Sequence, residues 1–121
     1  MIRAAIYSRV DPTDRASMPL HQAASEALCK AREWSFTHYT DSASGNRPPL
    51  QFATQSQMIR SGLTRLLSAV EAQRVDAVIP STPDALGTNS DIVEKLVAFL
   101  EQHGFQREEN DGEPAFYFVR L

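Results

Sequence analysis

The side chains best suited to chemistry in this sequence lie directly after its first apolar segment. Residues 4–7, reading AAIY, form a nearly continuous apolar run. Such a run predicts a buried strand of a parallel sheet rather than a strand with one solvated face. A few positions later the sequence has Arg9, Asp11, Thr13 and Asp14. Because ligands of open α/β sheets bind beyond the carboxyl ends of the strands, these four side chains form the candidate site.

One chemistry open to these carboxylates is metal-dependent phosphoryl transfer. Asp11 and Asp14, together with Ser81 or Thr82 after a later strand, are loosely similar to the aspartate-nucleophile phosphatases. Their spacing is Asp-x-x-Asp rather than Asp-x-Asp, and aspartates that form turns explain the same residues. His21 has no second histidine or carboxylate at ligand spacing. We therefore expect no metal site and no cofactor.

The composition limits the classes of function. With 121 residues, a net charge of −3 and a pI near 5.5, the chain is long enough for one core. A stand-alone DNA-binding protein normally has a basic stripe, whereas the basic residues here are scattered. We expect this chain alone to bind DNA weakly. Its single cysteine, Cys29, excludes an internal disulfide and is expected to be a partly buried helix thiol.

The sequence has no apolar run of about 18 residues and no signal-like start. We therefore expect a cytoplasmic protein with no membrane association. Hydrophobic periodicity and turn residues then predict the elements that position the site. Further strands are expected over 35–40 and 75–79, helices over 19–33, 59–73 and 90–103, and a C-terminal β-hairpin over 105–109 and 116–119. The expected fold is α/β with three layers, α/β/α, and a mostly parallel sheet of about four strands.

Four short segments occur in the same order as in a known family. Residues 7–11 read YSRVD, 41–45 read DSASG, 60–63 read RSGL and 84–88 read DALGT. In these segments the sequence resembles the catalytic domain of bacterial serine recombinases of the resolvase/invertase and large serine integrase group. The first strand of that family reads Tyr-x-Arg-Val-Ser. The resemblance covers residues 2–104 and implies the resolvase catalytic-domain fold.

Three positions depart from the active site that this resemblance implies. Asp11 stands where the family has its nucleophilic serine, and Ala85 and Thr88 stand where it has arginines. The family reaction needs a hydroxyl that attacks a DNA phosphodiester, and guanidiniums that stabilise the charge on the phosphate. A carboxylate at position 11 would repel the phosphate and cannot form the phosphoserine bond. Arg9 and Asp84 are retained, so we expect an ion-pair cluster with Asp11 rather than a phosphate clamp.

The family arginine at the start of the second helix has two candidates in this sequence. Arg47 begins residues 47–50, RPPL, and Arg60 begins the RSGL segment. The interval from Arg60 to Asp76 matches the family's usual spacing and favours Arg60, which we expect to join the ion-pair cluster. Residues 46–59 are then an insertion or a forward extension of the helix.

These observations predict one domain over residues 1–121, with a family-like core at 1–104, a hairpin tail at 105–121 and no DNA-binding domain. The three departures favour a catalytically degenerate module without enzymatic activity, which acts through a protein partner or as a homodimer. Arg9, Asp11, Arg60 and Asp84 take the family's active-site positions, and none of them is assigned a catalytic role. A fragment or subunit of a site-specific DNA recombinase remains the alternative, followed by metal-dependent phosphoryl transfer.

Overall fold

The computed structural model describes residues 1–54 and 58–120. Within these ranges the strands are β1 (Arg3–Val10), β2 (Ser35–Ser42), β3 (Ala77–Pro80), β4 (Phe105–Glu109) and β5 (Phe116–Arg120). The α-helices are α1 (Met18–Ala31), α2 (Ser61–Glu71) and α3 (Ser90–Gln102). No helix in these ranges has both the length and the apolar character needed to cross a bilayer.

The strands form a single sheet in the order β2-β1-β3-β5-β4. β1 pairs in parallel with β2 and with β3, so that Tyr7 lies opposite Tyr39 on one side and Pro80 on the other. β5 pairs antiparallel with both β3 and β4. The expectation of about four strands in a mostly parallel sheet was therefore too simple. The predicted C-terminal hairpin is present, but it joins the sheet beside β3 and gives a mixed sheet of five strands.

Helices cover both faces of the sheet, which confirms the expected three-layer α/β/α arrangement. On one face, α1 packs over a cluster that includes Ala4, Ile6 and Cys29. On the other face, α2 and α3 pack over a larger cluster that includes Tyr7, Leu63 and Leu100. The Cys29 side chain is fully buried, and burial raises the pKa of its thiol to about 11. Because the thiolate is the nucleophilic form, Cys29 has a structural role.

The segment before α2 differs from the expectation for residues 46–59. Since α2 begins at Ser61, a forward extension of this helix is wrong for the part of the segment that the structure describes. That part contains a short 3-10 helix, Leu50–Phe52, whose aromatic residue packs edge-to-face on Phe99 of α3. Residues 55–57 of the expected insertion lie outside the described residues.

Candidate functional site

Arg9 lies at the carboxyl end of β1 and is held by three segments of the chain. Its Nη1 donates to the carbonyl of Ala43 at 3.1 Å, and its Nη2 donates to the carbonyl of Asp84 at 3.1 Å. The same two nitrogens lie 3.4 Å from a carboxylate oxygen of Asp11 and 3.5 Å from one of Asp84. The guanidinium is thus bound by the chain's own oxygens on both of its terminal nitrogens.

The two carboxylates form an anionic rim above a buried cation. The Arg9 side chain is 5% exposed, whereas Asp11 is 69% exposed and Asp84 is 63% exposed. At distances of 3.4 and 3.5 Å these pairs are loose, and exposed ion pairs contribute little to stability. Their larger consequence is electrostatic, because an incoming phosphate would meet two negative side chains before it reached Arg9.

Arg60 lies immediately before α2 and is fully buried. Its Nη1 donates to the carbonyl of Ala85 at 3.1 Å, and its Nη2 donates to the carbonyl of Leu86 at 2.7 Å. Its Nε donates to the carbonyl of Arg47 at 2.6 Å. Burial lowers the pKa of the guanidinium, and these carbonyls supply the hydrogen bonds that a buried cation requires.

This position corrects the expectation that Arg60 would join Arg9 in a cluster with Asp11 and Asp84. Of the two arginines, Arg9 contacts those two carboxylates, whereas the buried guanidinium of Arg60 is directed to the backbone of 85–86. The two arginines therefore bind three consecutive carbonyls of the same loop, Asp84 from one side and the next two from the other. Arg47 contributes a backbone carbonyl to this arrangement.

Asp41, at the end of β2, fixes the start of α2. One of its carboxylate oxygens accepts from the backbone N–H of Gly62 at 2.8 Å and the other from that of Leu63 at 2.9 Å. The second oxygen also accepts from the hydroxyl of Tyr7 at 2.7 Å. A carboxylate at a helix N-terminus satisfies free backbone donors and interacts favourably with the helix dipole. Burial is the main cause that raises the pKa of Tyr7, so its hydroxyl stays protonated and donates.

Gly62 is required by the close approach of α2 to β2. A Cβ atom at this position would lie 2.2 Å from the carbonyl oxygen of Thr40. The glycine in the RSGL segment therefore lets the Asp41 carboxylate reach the helix N-terminus. The sequence pattern placed Asp41 and Gly62 in separate segments and did not predict that they meet.

Ala85 and Thr88, the two positions where the resemblance leads us to expect arginines, have different surroundings. Ala85 is fully buried in the core beside Leu86. Thr88 is exposed, and its hydroxyl lies 3.2 Å from the side-chain oxygen of Asn46. An arginine would fit at 88 without disturbing the core, whereas at 85 it would have to displace packed side chains.

The other candidates from the sequence do not assemble into a metal or phosphatase site. Among the described residues, no group of three or more histidine, cysteine, aspartate or glutamate side chains is arranged to hold a metal ion. Asp14 lies in a turn in which its N–H donates to the carbonyl of Asp11, and its carboxylate accepts from Ser17 at 3.0 Å. Thr82 donates to Asp84 at 2.9 Å. These contacts fit turn formation.

Comparisons with known proteins indicate the class of protein to which this chain is similar. The chain is similar to the solved C-terminal catalytic domain of ISC1926 TnpA, an IS607-like serine recombinase, with a TM-score of 0.67 and 26% sequence identity. That match covers 85% of this chain and 65% of the other chain, so this chain spans about two thirds of the solved one. A comparison with curated proteins finds no match.

The fold and the arrangement at the carboxyl ends of its strands thus define a serine recombinase-like α/β domain. The family model described as resolvase, N-terminal domain, matches residues 4–106, and the chain belongs to this family. The resemblance found in the four sequence segments is therefore confirmed.

Proposed function

We propose that this resolvase-like domain is catalytically degenerate and acts as a protein-interaction or regulatory module. The observation that carries the proposal is the position of Asp11 beside Arg9, at 3.4 Å, where the family has its nucleophilic serine. A carboxylate there neutralises the guanidinium that would otherwise face a phosphate. It also lacks the hydroxyl that forms the covalent bond to DNA.

The surrounding cations support the same proposal. Transition states of phosphoryl transfer are stabilised by guanidiniums that are free to contact the phosphate oxygens. Here Arg9 is bound by backbone carbonyls and carboxylates, and Arg60 is fully buried against carbonyls. Two further family arginines are replaced by Ala85 and Thr88. The terminal nitrogens of both retained arginines are therefore already bound by the chain's own oxygens.

The direct experiment is a search for a covalent protein–DNA adduct. The purified chain would be incubated with supercoiled DNA that carries candidate recombination sites, and the products would be separated under denaturing conditions. We expect no protein-linked DNA and no relaxed or rearranged product. A covalent adduct that survives denaturation would overturn the proposal.

The interaction role requires a separate measurement. The chain would be mixed with an intact recombinase of the same family, and the mass of any complex would be measured by light scattering. We expect a hetero-complex or a homodimer at micromolar concentrations. A chain that stays monomeric and also leaves the recombinase's strand-exchange rate unchanged would contradict a regulatory role.

A second candidate is a subunit of an active site-specific recombinase that obtains its nucleophile from a partner chain. The family match and the similarity to the ISC1926 TnpA catalytic domain favour this alternative. It predicts that mixtures with a partner recombinase exchange DNA strands and that Arg9→Ala reduces the rate. In the degenerate module, Arg9→Ala leaves the partner's rate unchanged, which separates the two.

A further inference from the structure

A cleft of about 550 Å³ lies between the outer side of α2 and β2. Arg65 and Arg74 line it together with Tyr39 and the hydroxyl residues Thr64 and Ser68. It lies apart from the Arg9 cluster, and none of its lining residues has a carboxylate. The cleft is therefore a basic, hydroxyl-rich surface on a protein whose net charge is −3.

The two cations of this cleft have no ion-pair partner in the part of the chain that the structure describes. By contrast, Arg3 pairs with Asp76 at 3.0 Å, and Arg107 pairs with Glu109 at 2.7 Å. Arg65 and Arg74 are both exposed. Guanidiniums bind carboxylates in a planar, often bidentate geometry, so the cleft suits an anionic partner.

The strand beside the cleft is an edge of the sheet. Because the N–H of Ser35 donates to the carbonyl of Ile2, the odd residues of β2 direct their backbone groups to β1. The alternation of a strand then turns the backbone groups of Phe36 and His38 outward. Residues 36–40, FTHYT, contain no lysine, proline or carboxylate, which are the residues that usually protect an edge from pairing.

The opposite edge of the sheet is different. Three of the five residues of β4 are charged, namely Arg107, Glu108 and Glu109, and all three are exposed. Charged side chains on an edge strand discourage pairing with another chain. The sheet thus has one protected edge and one edge that is unprotected at Phe36 and His38. Further along β2, the carbonyl of Thr40 packs against Gly62 of α2.

We propose that β2 and the adjoining cleft bind an extended acidic segment of a partner protein, which adds to the sheet as a further strand. The inference rests on the proposed interaction role and names the partner's chemistry. Main-chain hydrogen bonds to β2 would supply affinity, and the arginines would select acidic side chains.

The position of the cleft specifies the segment further. The cleft lies beside β2, where Tyr39 lines it together with Arg65 and Arg74. Residues i and i+4 of an extended strand lie on one face, whereas residues i and i+3 lie on opposite faces. The preferred partner segment therefore has its acidic residues on one face, as at four positions apart.

Two other occupants fit less well. DNA-binding proteins can neutralise about 6–10 phosphates with lysine and arginine, whereas the cleft has two arginines. A second copy paired through its own β2 would bring two basic clefts together. A second copy paired through β4 would make a head-to-tail contact that does not close.

The test uses fluorescence anisotropy with a labelled synthetic peptide of about nine threonine and valine residues, with glutamates at i and i+4 on one face. One control peptide has its glutamates at i and i+3, on opposite faces, and a second has lysines instead. We expect the first peptide to bind at least about tenfold more tightly than either control.

Variants of the chain complete the test. Arg65→Glu and Arg74→Glu should each weaken binding of the first peptide by about tenfold, and Lys95→Glu on α3 provides the matched charge change at an exposed lysine outside the cleft. Urea unfolding of each variant establishes that it is folded. Arg74 lies outside α2, so its variant tests the cleft without a change in the helix.

Three outcomes would overturn the inference. The first is equal binding of the three peptides, or binding unaffected by both arginine variants. The second is competition by a short DNA duplex that is lost in the variants, which would assign the cleft to nucleic acid. The third is a homodimer that the arginine variants dissociate. In each case the proposed function is tested separately, by the adduct and light-scattering experiments.

Discussion

Arg9 and Arg60 donate to consecutive carbonyls of the same loop, and their surroundings differ. Arg60 is fully buried and donates to three backbone carbonyls at 2.6–3.1 Å. Arg9 is also buried, but it lies beneath two exposed carboxylates at 3.4 and 3.5 Å, which compete with any external anion. One arginine thus holds irregular segments to the core, and the other is partly neutralised by carboxylates that face the solvent.

The difference separates the contacts that hold the fold from the side chains that face the solvent. The contacts of Arg60, and those of Asp41 with the start of α2, connect irregular segments to the core. Losing them would leave buried polar groups without partners, which would lower the free energy of unfolding. Substitutions at the exposed rim, such as Asp11, cost little stability. Side chains at the rim can therefore change while the buried arginine and aspartate are kept.

The largest expected effect is that of Arg60→Ala. This change removes three hydrogen bonds to buried carbonyls and leaves a cavity in the core. We expect the free energy of unfolding to fall by about 3–5 kcal/mol, measured by urea denaturation. Arg60→Lys should recover only part of this loss because an ammonium cannot reproduce the planar fork. If Arg60→Ala and Arg9→Ala lowered the free energy of unfolding by the same amount, the two arginines would not differ in their contribution to stability.

Asp41→Ala should have the next largest effect. It leaves the backbone N–H groups of Gly62 and Leu63 and the hydroxyl of Tyr7 without their acceptor. We expect a loss of about 2–3 kcal/mol in the free energy of unfolding. Hydrogen exchange should become faster in the first turn of α2 before it changes in α3. A uniform change in both helices would show that Asp41 does not act locally.

Arg9→Ala should destabilise the fold less than Arg60→Ala or Asp41→Ala. It removes two hydrogen bonds to carbonyls and two loose ion pairs, so we expect about 1–2 kcal/mol by urea denaturation. Arg9→Lys serves as the control that keeps the charge. An effect as large as that of Arg60→Ala would place Arg9 among the residues that hold the core.

Asp11→Ser should change stability least, by less than about 0.5 kcal/mol, because the carboxylate is mostly exposed. It places a hydroxyl where the proposed function expects the family's nucleophile, yet we expect no covalent DNA adduct, since Ala85 and Thr88 still lack guanidiniums. The adduct assay on this variant provides the check. Adduct formation by the single variant would mean that the remaining site is still competent.

The sequence predicted the order of the elements better than it predicted the site. Apolar runs and helical stripes specify the three layers, because the elements of a sheet protein bury their apolar faces in a periodic way. The meeting of Arg9 with Asp84 also follows from sequence, since parallel strands bring their carboxyl ends to one edge. The position of the hairpin in the sheet could not be predicted from the sequence. The turn residues predict that β4 pairs with β5, but they do not predict that β5 pairs with β3.

The burial of Arg60 had no comparable signal. Its partners are carbonyls of the irregular segments at Arg47 and 85–86, and every residue type has a carbonyl. The role of Asp41 had a partial signal, because the DSASG segment followed a predicted strand. The short distance between that segment and the glycine of the RSGL segment could not be predicted, because it depends on how α2 packs on β2.

The most direct test of the central claim follows the Arg9 side chain itself. In protein labelled with nitrogen-15, the signals of the Nη1 and Nη2 groups of Arg9 would be recorded while duplex DNA is added at low salt. Because the chain's own oxygens hold both of these nitrogens, we expect no change in these signals. A saturable shift that Asp11→Ser leaves unaltered would show that Arg9 still binds phosphate, and would contradict the account.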